Sequence, residues 1–289
     1  MVEELPPRHL PGHIAAALAG AGGQADSAGR PWAGRSLAGE DAEIHNFQDD
    51  DGAADAGYLA SIAGLLEGAC DEAAVVASLA GARIFVPIVA QLAEDAEGVD
   101  GLHADKQADM ALVTLKAPDG RTALPVFTSA ASLASWHPEA RPVAVYAARA
   151  ALSAVAEGAE LLVIDPGSDV TFVVRRPAVW ALAKQQPWLP SYADPDLAVA
   201  MCSAAAGTPA VRRLEILPGS GVGSSTGRGI PVSGGGPGPE LRVVLYLDDG
   251  LDATAVQGLV SGLHQTWARN VLFGECVDSI EVTLKRAAD

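Results

Sequence analysis

Cysteine is scarce in this 289-residue chain, with three copies at positions 70, 202 and 276. So few and so scattered a set excludes a disulfide-stapled scaffold and a Cys-rich zinc site. Basic charge is scarce too. Four lysines among 19 basic residues face 36 acidic ones, for a net charge of −17. Gripping a phosphate backbone takes clustered Lys and Arg that displace counterions. No basic run here is longer than Arg175-Arg176 or Arg212-Arg213, so nucleic acid is not an expected partner. Aromatic residues make up 5% of the chain, which leaves Ala, Val and Leu to fill most of the core.

A clean hydrophobic run of membrane length is also missing. Ala73–Ala93 comes nearest, 21 residues with Arg83 as the single charge. A guanidinium at the centre of a bilayer costs about 2.5–3.5 kcal/mol. Gly81 is placed as a helix stop, and Pro87 would break a helix that continued. The stretch is expected to be a helix end followed by a buried strand, Ile84–Ala90. Met1–Pro11 holds Glu3, Glu4 and three prolines, with no apolar segment of secretory length. The expectation is a cytoplasmic protein with reduced thiols and no membrane partner.

What is present suits a folded protein: 49% apolar residues, 19% charged, and length enough for two ordinary domains. Residues 1–57 read as an acidic Gly/Pro-rich arm. Between Glu40 and Asp55 seven acids occur with no Lys or Arg, a solvated tail or a docking strip for a basic partner. Residues 58–207 form the expected main domain. Leu59, Ile62, Leu66, Ala69, Ala73, Val76 and Ala80 lay one apolar stripe along a helix over Leu59–Ala80. Strands are expected at Ile84–Ala90, Met110–Lys116, Thr122–Phe127, Val143–Tyr146, Leu161–Ile164 and Val170–Val174. Turns fall at Pro118-Asp119-Gly120 and Asp165-Pro166-Gly167. Ser129 and Asp194-Pro195 are helix caps, and Pro177 opens a further helix. Residues 208–289 read as a smaller unit, with strands Val211–Leu217, Leu241–Leu247 and Ile280–Leu284 and a helix capped by Asp252. Its insert, 218–239, holds nine Gly and four Pro in 22 residues; that composition predicts a flexible loop. Helices and strands mix without regular alternation, so the fold class is α+β: a mixed sheet with helices, then a small α+β unit.

Several short motifs of the main domain occur in a familiar order. Asp109-Met110-Ala111-Leu112-Val113, Asp119-Gly120-Arg121, Leu124-Pro125-Val126-Phe127-Thr128-Ser129 with Trp136, Val163-Ile164-Asp165-Pro166 and Arg175-Arg176-Pro177 resemble the SseB family, named for enhanced serine sensitivity in bacteria. The likeness covers about 85–205. Pro31-Trp32-Ala33-Gly34-Arg35 is similar to the arm of actinobacterial members, and the Gly-rich insert departs from the family pattern. The resemblance implies a non-enzymatic interaction or regulatory module with an unidentified protein partner. It carries no catalytic residues over.

Residue chemistry adds little that is catalytic. Gly219-Ser220-Gly221-Val222-Gly223 follows a strand, but no helix follows it to converge amides on a phosphate. Ser129, His137 and Asp165 compose a triad only on paper, with no Gly-x-Ser-x-Gly elbow. Cys70 and Cys202 read as core, and Cys276 beside Glu275 as a thiol of raised pKa. Neither His103, Asp105 and Asp109 nor Asp49-Asp50-Asp51 has metal-ligand spacing; no metal and no cofactor are expected. One constellation suits a small anion, a carboxylate or phosphate: Thr128 and Ser129 at a helix start, with Arg141, Arg176 and Asp165 near strand ends. The competing reading pairs the arginines Arg175 and Arg176 with acids such as Asp165 and Asp169.

Overall fold

The computed structural model of the chain describes residues 47, 50–92 and 108–287. Contacts group Asp50–Asp289 into one compact unit. The arm expected over 1–57 therefore lies mostly outside the described residues, as do His103 and Asp105. Among the described residues no helix is long and apolar enough to cross a membrane.

The single helix expected over Leu59–Ala80 is two, α1 (Ala56–Glu67) and α2 (Glu72–Leu79). Gly68 turns left-handed at φ 69° and closes α1, and the Asp71 carboxylate caps α2 by accepting from Ala74 N. The break resets the helical phase. Tyr58, Ile62 and Leu65 face inward, while Leu59, placed on the stripe by its spacing, is exposed.

Two sheets follow. In the first, β1 (Arg83–Leu92) lies between β2 (Ala108–Leu112) and β5 (Arg141–Tyr146), antiparallel to both. The second runs in the order β3 (Leu115–Lys116), β4 (Thr122–Val126), β6 (Leu161–Ile164), β7 (Phe172–Val174), with β4 and β6 parallel. The strand expected over Met110–Lys116 thus divides between two sheets. Phe85 and Phe127 exchange backbone hydrogen bonds of 2.7 and 2.8 Å and tie the sheets together. Helix α3 (Ala130–Trp136) starts directly after this bridge. Helices α4 (Ala147–Ala156) and α5 (Arg176–Lys184) pack together on the second sheet. Ala150, Ala151 and Ala154 are buried there; small side chains let the backbones approach, which is how a chain poor in aromatics closes this core.

Helix α6 (Pro195–Ala206) leads to a third sheet, β12-β11-β8, built from β8 (Val211–Pro218), β11 (Leu241–Leu247) and β12 (Ile280–Arg286). Asp194 caps α6 by accepting from Asp196 N and Leu197 N. Helices α7 (Ala253–Ala268) and α8 (Val271–Cys276) complete the set. Leu197, Met201, Val243, Leu245, Leu263 and Trp267 form one core across α6, β11 and α7. The architecture is α+β, with mixed parallel and antiparallel sheets.

The segment 218–239 departs from its expected flexibility. It contains the hairpin β9 (Gly223–Ser225) and β10 (Pro231–Ser233) and buries Val222 and Val232. Its glycines serve close approach as well as turning. A Cβ on Gly221 would overlap the Gly238 backbone, and one on Gly235, at φ 64°, would overlap the Phe172 ring. Composition alone registers such glycines as chain entropy and misses the second role. Gly235→Ala should therefore destabilise the protein by about 1–3 kcal/mol in urea unfolding; a flexible insert would show no change.

Candidate functional site

Of the five residues marked as an anion pocket, three meet. Asp165 sits in its turn at φ 49°, left-handed backbone that Asp adopts more readily than most side chains. Its carboxylate accepts the Thr128 N–H at 2.9 Å, the Thr128 hydroxyl at 2.6 Å and the Ser132 hydroxyl at 2.9 Å. Ser129 caps α3, accepting from Ser132 N at 3.0 Å. The donors expected to meet an external anion thus hold an internal, buried one. Arg141 does not join them and lies exposed at the start of β5. Arg176 turns elsewhere too, donating to the Val277 carbonyl at 2.6 Å with its guanidinium 5.0 Å from the Trp180 ring centroid.

Arg83, the charge inside the long apolar stretch, donates to the Thr128 carbonyl at 2.7 Å and pairs with Asp50 at 2.5 Å. That guanidinium holds the Asp50 carboxyl below its usual range. No hydrogen bond joins Ser129 to His137, so the paper triad is not assembled. Cys202 is exposed and not part of the core. The Cys276 thiol is pushed up to about 11, first by burial and then by the Asp194 and Glu275 carboxylates. Among the described residues no group of three or more His, Cys, Asp or Glu is placed to hold a metal.

Arg175 is the side chain that the sequence underrated. It follows β7 and is 2% exposed. Nη1 donates to the Gly238 carbonyl at 2.6 Å, and Nη2 to Gly221 at 2.8 Å and Gly236 at 2.6 Å. All three acceptors belong to the Gly-rich segment. Its acid is neither Asp165 nor Asp169 but Asp278, 3.5 Å from Nη1; Asp169 pairs with Arg228. The buried Asp278 carboxylate also takes Arg121 Nη1 at 2.8 and 2.9 Å and the Ser279 hydroxyl at 3.0 Å. Glu240, fully buried, accepts from Ser191 N at 3.0 Å and Asp278 N at 3.1 Å. Glu72 takes the Tyr192 hydroxyl at 2.7 Å and Gly235 N at 2.9 Å.

Above this network lies a cleft of about 930 Å³. One wall is a single face of the second sheet. Ala123 pairs with Leu161, and Val163 with Val173, in register, and Arg175 continues that face two residues past Val173. Val163 and Val173 are half-buried, whereas Leu162, Ile164 and Phe172 on the opposite face are core. The other wall is the Gly-rich segment, Gly223–Ser225 and Gly235–Gly238. Lys116, Arg121 and Arg175 line the cleft against one acid, Asp119. Arg175 Nε is buried with no hydrogen-bond partner among the described residues. The sequence did offer a signal: period-2 alternation through Thr171, Val173 and Arg175 puts a cation on an apolar face. Its acceptors lay 46 to 63 residues away, in a segment read as a loop.

Residues 58–181 match the family model of the SseB protein N-terminal domain. No curated protein and no solved structure matches the chain. The matched span contains the sheet wall with Arg121 and Arg175; the Gly-rich wall and Asp278 lie beyond it.

Two outcomes test the network. Arg175→Met leaves three carbonyls and Asp278 short of donors, and should cost about 3–5 kcal/mol. Arg228→Ala, from an exposed pair, should cost under about 1 kcal/mol. Burial pushes the Glu240 carboxyl up from its ordinary 4.5, outweighing the N–H donors from Ser191 and Asp278 and the Arg175 charge. A raised carboxyl loses stability as pH climbs from the unfolded value through the folded one. Glu240→Gln cannot titrate, so its melting temperature relative to the native protein should rise between pH 4.5 and pH 7.5; a constant difference would contradict the raised value.

Proposed function

From the match of residues 58–181 to the SseB protein N-terminal domain, we propose that this chain is a non-enzymatic recognition module of the cytoplasm, an interaction or regulatory protein whose working surface is the cleft. In this reading residues 58–207 form the recognition domain, and 208–289 form a smaller unit that supplies the second wall. The observation that carries the proposal is the cleft itself. At about 930 Å³ it falls among ligand sites of roughly 300–1,000 Å³, and it leaves half-exposed valines on a face that core packing would otherwise cover. The groups that catalysis would draw on are engaged elsewhere. Asp165 is tied by three hydrogen bonds, and a thiol raised to about 11 like that of Cys276 is mostly protonated at neutral pH. Serine sensitivity, in the family's name, is a phenotype; a regulator that binds its target accounts for one without turnover.

Filling the cleft tests this. Val163→Trp places an indole on the sheet wall. Proteins and metabolites retained by the native chain and by the variant from native lysate are compared by mass spectrometry, with melting curves for both. The expected result is a component held by the native chain and lost from a folded variant. Identical retention by two folded proteins would remove the cleft from the function.

A further inference from the structure

The third sheet ends in a bare rim. Strand β12 pairs with β11 along all of its 7 residues without a register shift and is an end strand of the sheet. Other rims are blunted. Val173 of β7 already donates to Gly235, Pro142 takes a donor from β5, and β8 slips register beside Leu247 and ends in Pro218. Leu241 N donates to the Ser279 carbonyl and Ala287 N to the Leu247 carbonyl, so the odd-numbered residues of β12 face β11. The backbone N–H and C=O groups of Ile280, Val282, Leu284 and Arg286 therefore point away from the sheet. Burial fades along the same strand, from half-buried Ile280–Val282 to exposed Thr283–Arg286. Leu284 shares the core face with its neighbour Leu245, yet it is 44% exposed. It borders a hollow of about 590 Å³ lined also by Leu247, Leu251 and Val256. No residue of β12 lines the cleft, so this surface is separate from it.

We propose that β12 pairs with β12 of a second copy of this chain, antiparallel about a two-fold axis through Thr283. The strand reads Ile-Glu-Val-Thr-Leu-Lys-Arg, and folded back on itself in that register it matches residue by residue. Thr283 meets Thr283, Val282 meets Leu284, and Glu281 meets Lys285. Glu281, Thr283 and Lys285 lie on the open face, Val282 and Leu284 on the core face, so each face meets its like. The outward backbone groups also fall opposite one another, Val282 with Leu284 and Ile280 with Arg286, each pair exchanging both bonds. A slip of one residue would set outward groups against inward ones and turn the faces over. A slip of two would part Glu281 from Lys285. A lysine on a sheet rim ordinarily repels a second strand; here an acid stands where the second copy's lysine arrives. Lys285 forms no ion pair among the described residues, its ammonium standing 5.5 Å from the Tyr246 ring centroid. Glu281 is positioned by the Ser220 hydroxyl and Arg242 Nε, each at 2.6 Å, and its side chain stays 26% exposed, open to a further donor.

Sedimentation equilibrium on the full chain, at about 150 mM salt, should show a dimer with a dissociation constant below about 10 μM. Lys285→Glu sets like charges against Glu281 on both sides of the axis and should weaken the dimer about ten-fold or more. Its circular dichroism should match that of the native chain. Leu284→Pro removes an outward N–H and no bond to β11, a change that a rim strand accepts, and should leave a monomer. Thr283→Cys reads the register. Its thiols meet on the axis, at a Cα separation of about 4.5 Å that a disulfide spans. In a Cys202→Ser background, which removes an exposed thiol, mild oxidation should give a covalent dimer. Leu284→Cys, facing Val282, should not. A native chain that stays monomeric at about 100 μM would overturn the proposal. A dimer whose affinity survives in folded Lys285→Glu would overturn it too, as would equal cross-linking of Thr283→Cys and Leu284→Cys. If Leu284→Pro fails to fold, Lys285→Glu and the cross-link decide.

Discussion

A guanidinium buried to 2% exposure must find nearly all its partners inside the protein, and Arg175 finds them on three glycine carbonyls and one shared carboxylate. Much of the molecule is arranged around that requirement. The carbonyls of Gly221, Gly236 and Gly238 converge on one point only if the chain between them doubles back at close range. A side chain on Gly221 would collide with the Gly238 backbone. Asp278 brings the start of β12 to the same place and passes the charge on to Arg121, next to the β3–β4 turn. Glu240 then holds Asp278 N and Ser191 N, so the 3₁₀ turn Ser191–Ala193 is anchored as well. Elements from residue 121 to residue 278 thereby share one polar cluster, whose hydrogen bonds offset much of its desolvation cost, with Arg175 Nε and Ser191 Oγ left without partners among the described residues.

The cleft follows from that arrangement. Helices α4 and α5 cover one face of the second sheet. The Gly-rich segment is held at the open edge of β7 by Arg175, by Glu72 through Gly235 N and by a Val173 N–H donated to the Gly235 carbonyl at 2.9 Å. The residues of this segment that line the cleft are four glycines, two serines and a proline, too short in side chain to fill the space beside Val163 and Val173, and that space is the cleft.

Local signals in the sequence specified the local structure well. Short apolar runs marked the strands at Thr122–Phe127, Leu161–Ile164 and Leu241–Leu247, and short polar residues marked the caps at Ser129, Asp194 and Asp252. The α+β class followed from their order. What escaped were features whose partners are distant. Gly68 reads equally as a weak helix residue or a left-handed stop, and the choice rests on Asp71 capping a second helix. The Gly-rich segment reads as entropy because its acceptors are backbone atoms, which composition does not encode. Arg175 reads as one of a basic pair, yet Arg176 turns to Val277 and Trp180 while Arg175 turns to the glycines.

The anion pocket read at Thr128 had sound chemistry and a mistaken occupant, and the reason bears on the whole charge distribution. A chain with 36 acids has carboxylates to set against many of its N–H and hydroxyl donors. Asp165 answers Thr128 and Ser132, Glu240 answers Ser191 and Asp278, and Glu72 answers Gly235 and Tyr192. Each carboxylate buried in this way satisfies donors that would otherwise be orphaned. Acidity here is therefore structural as well as solvating, which net charge alone does not separate.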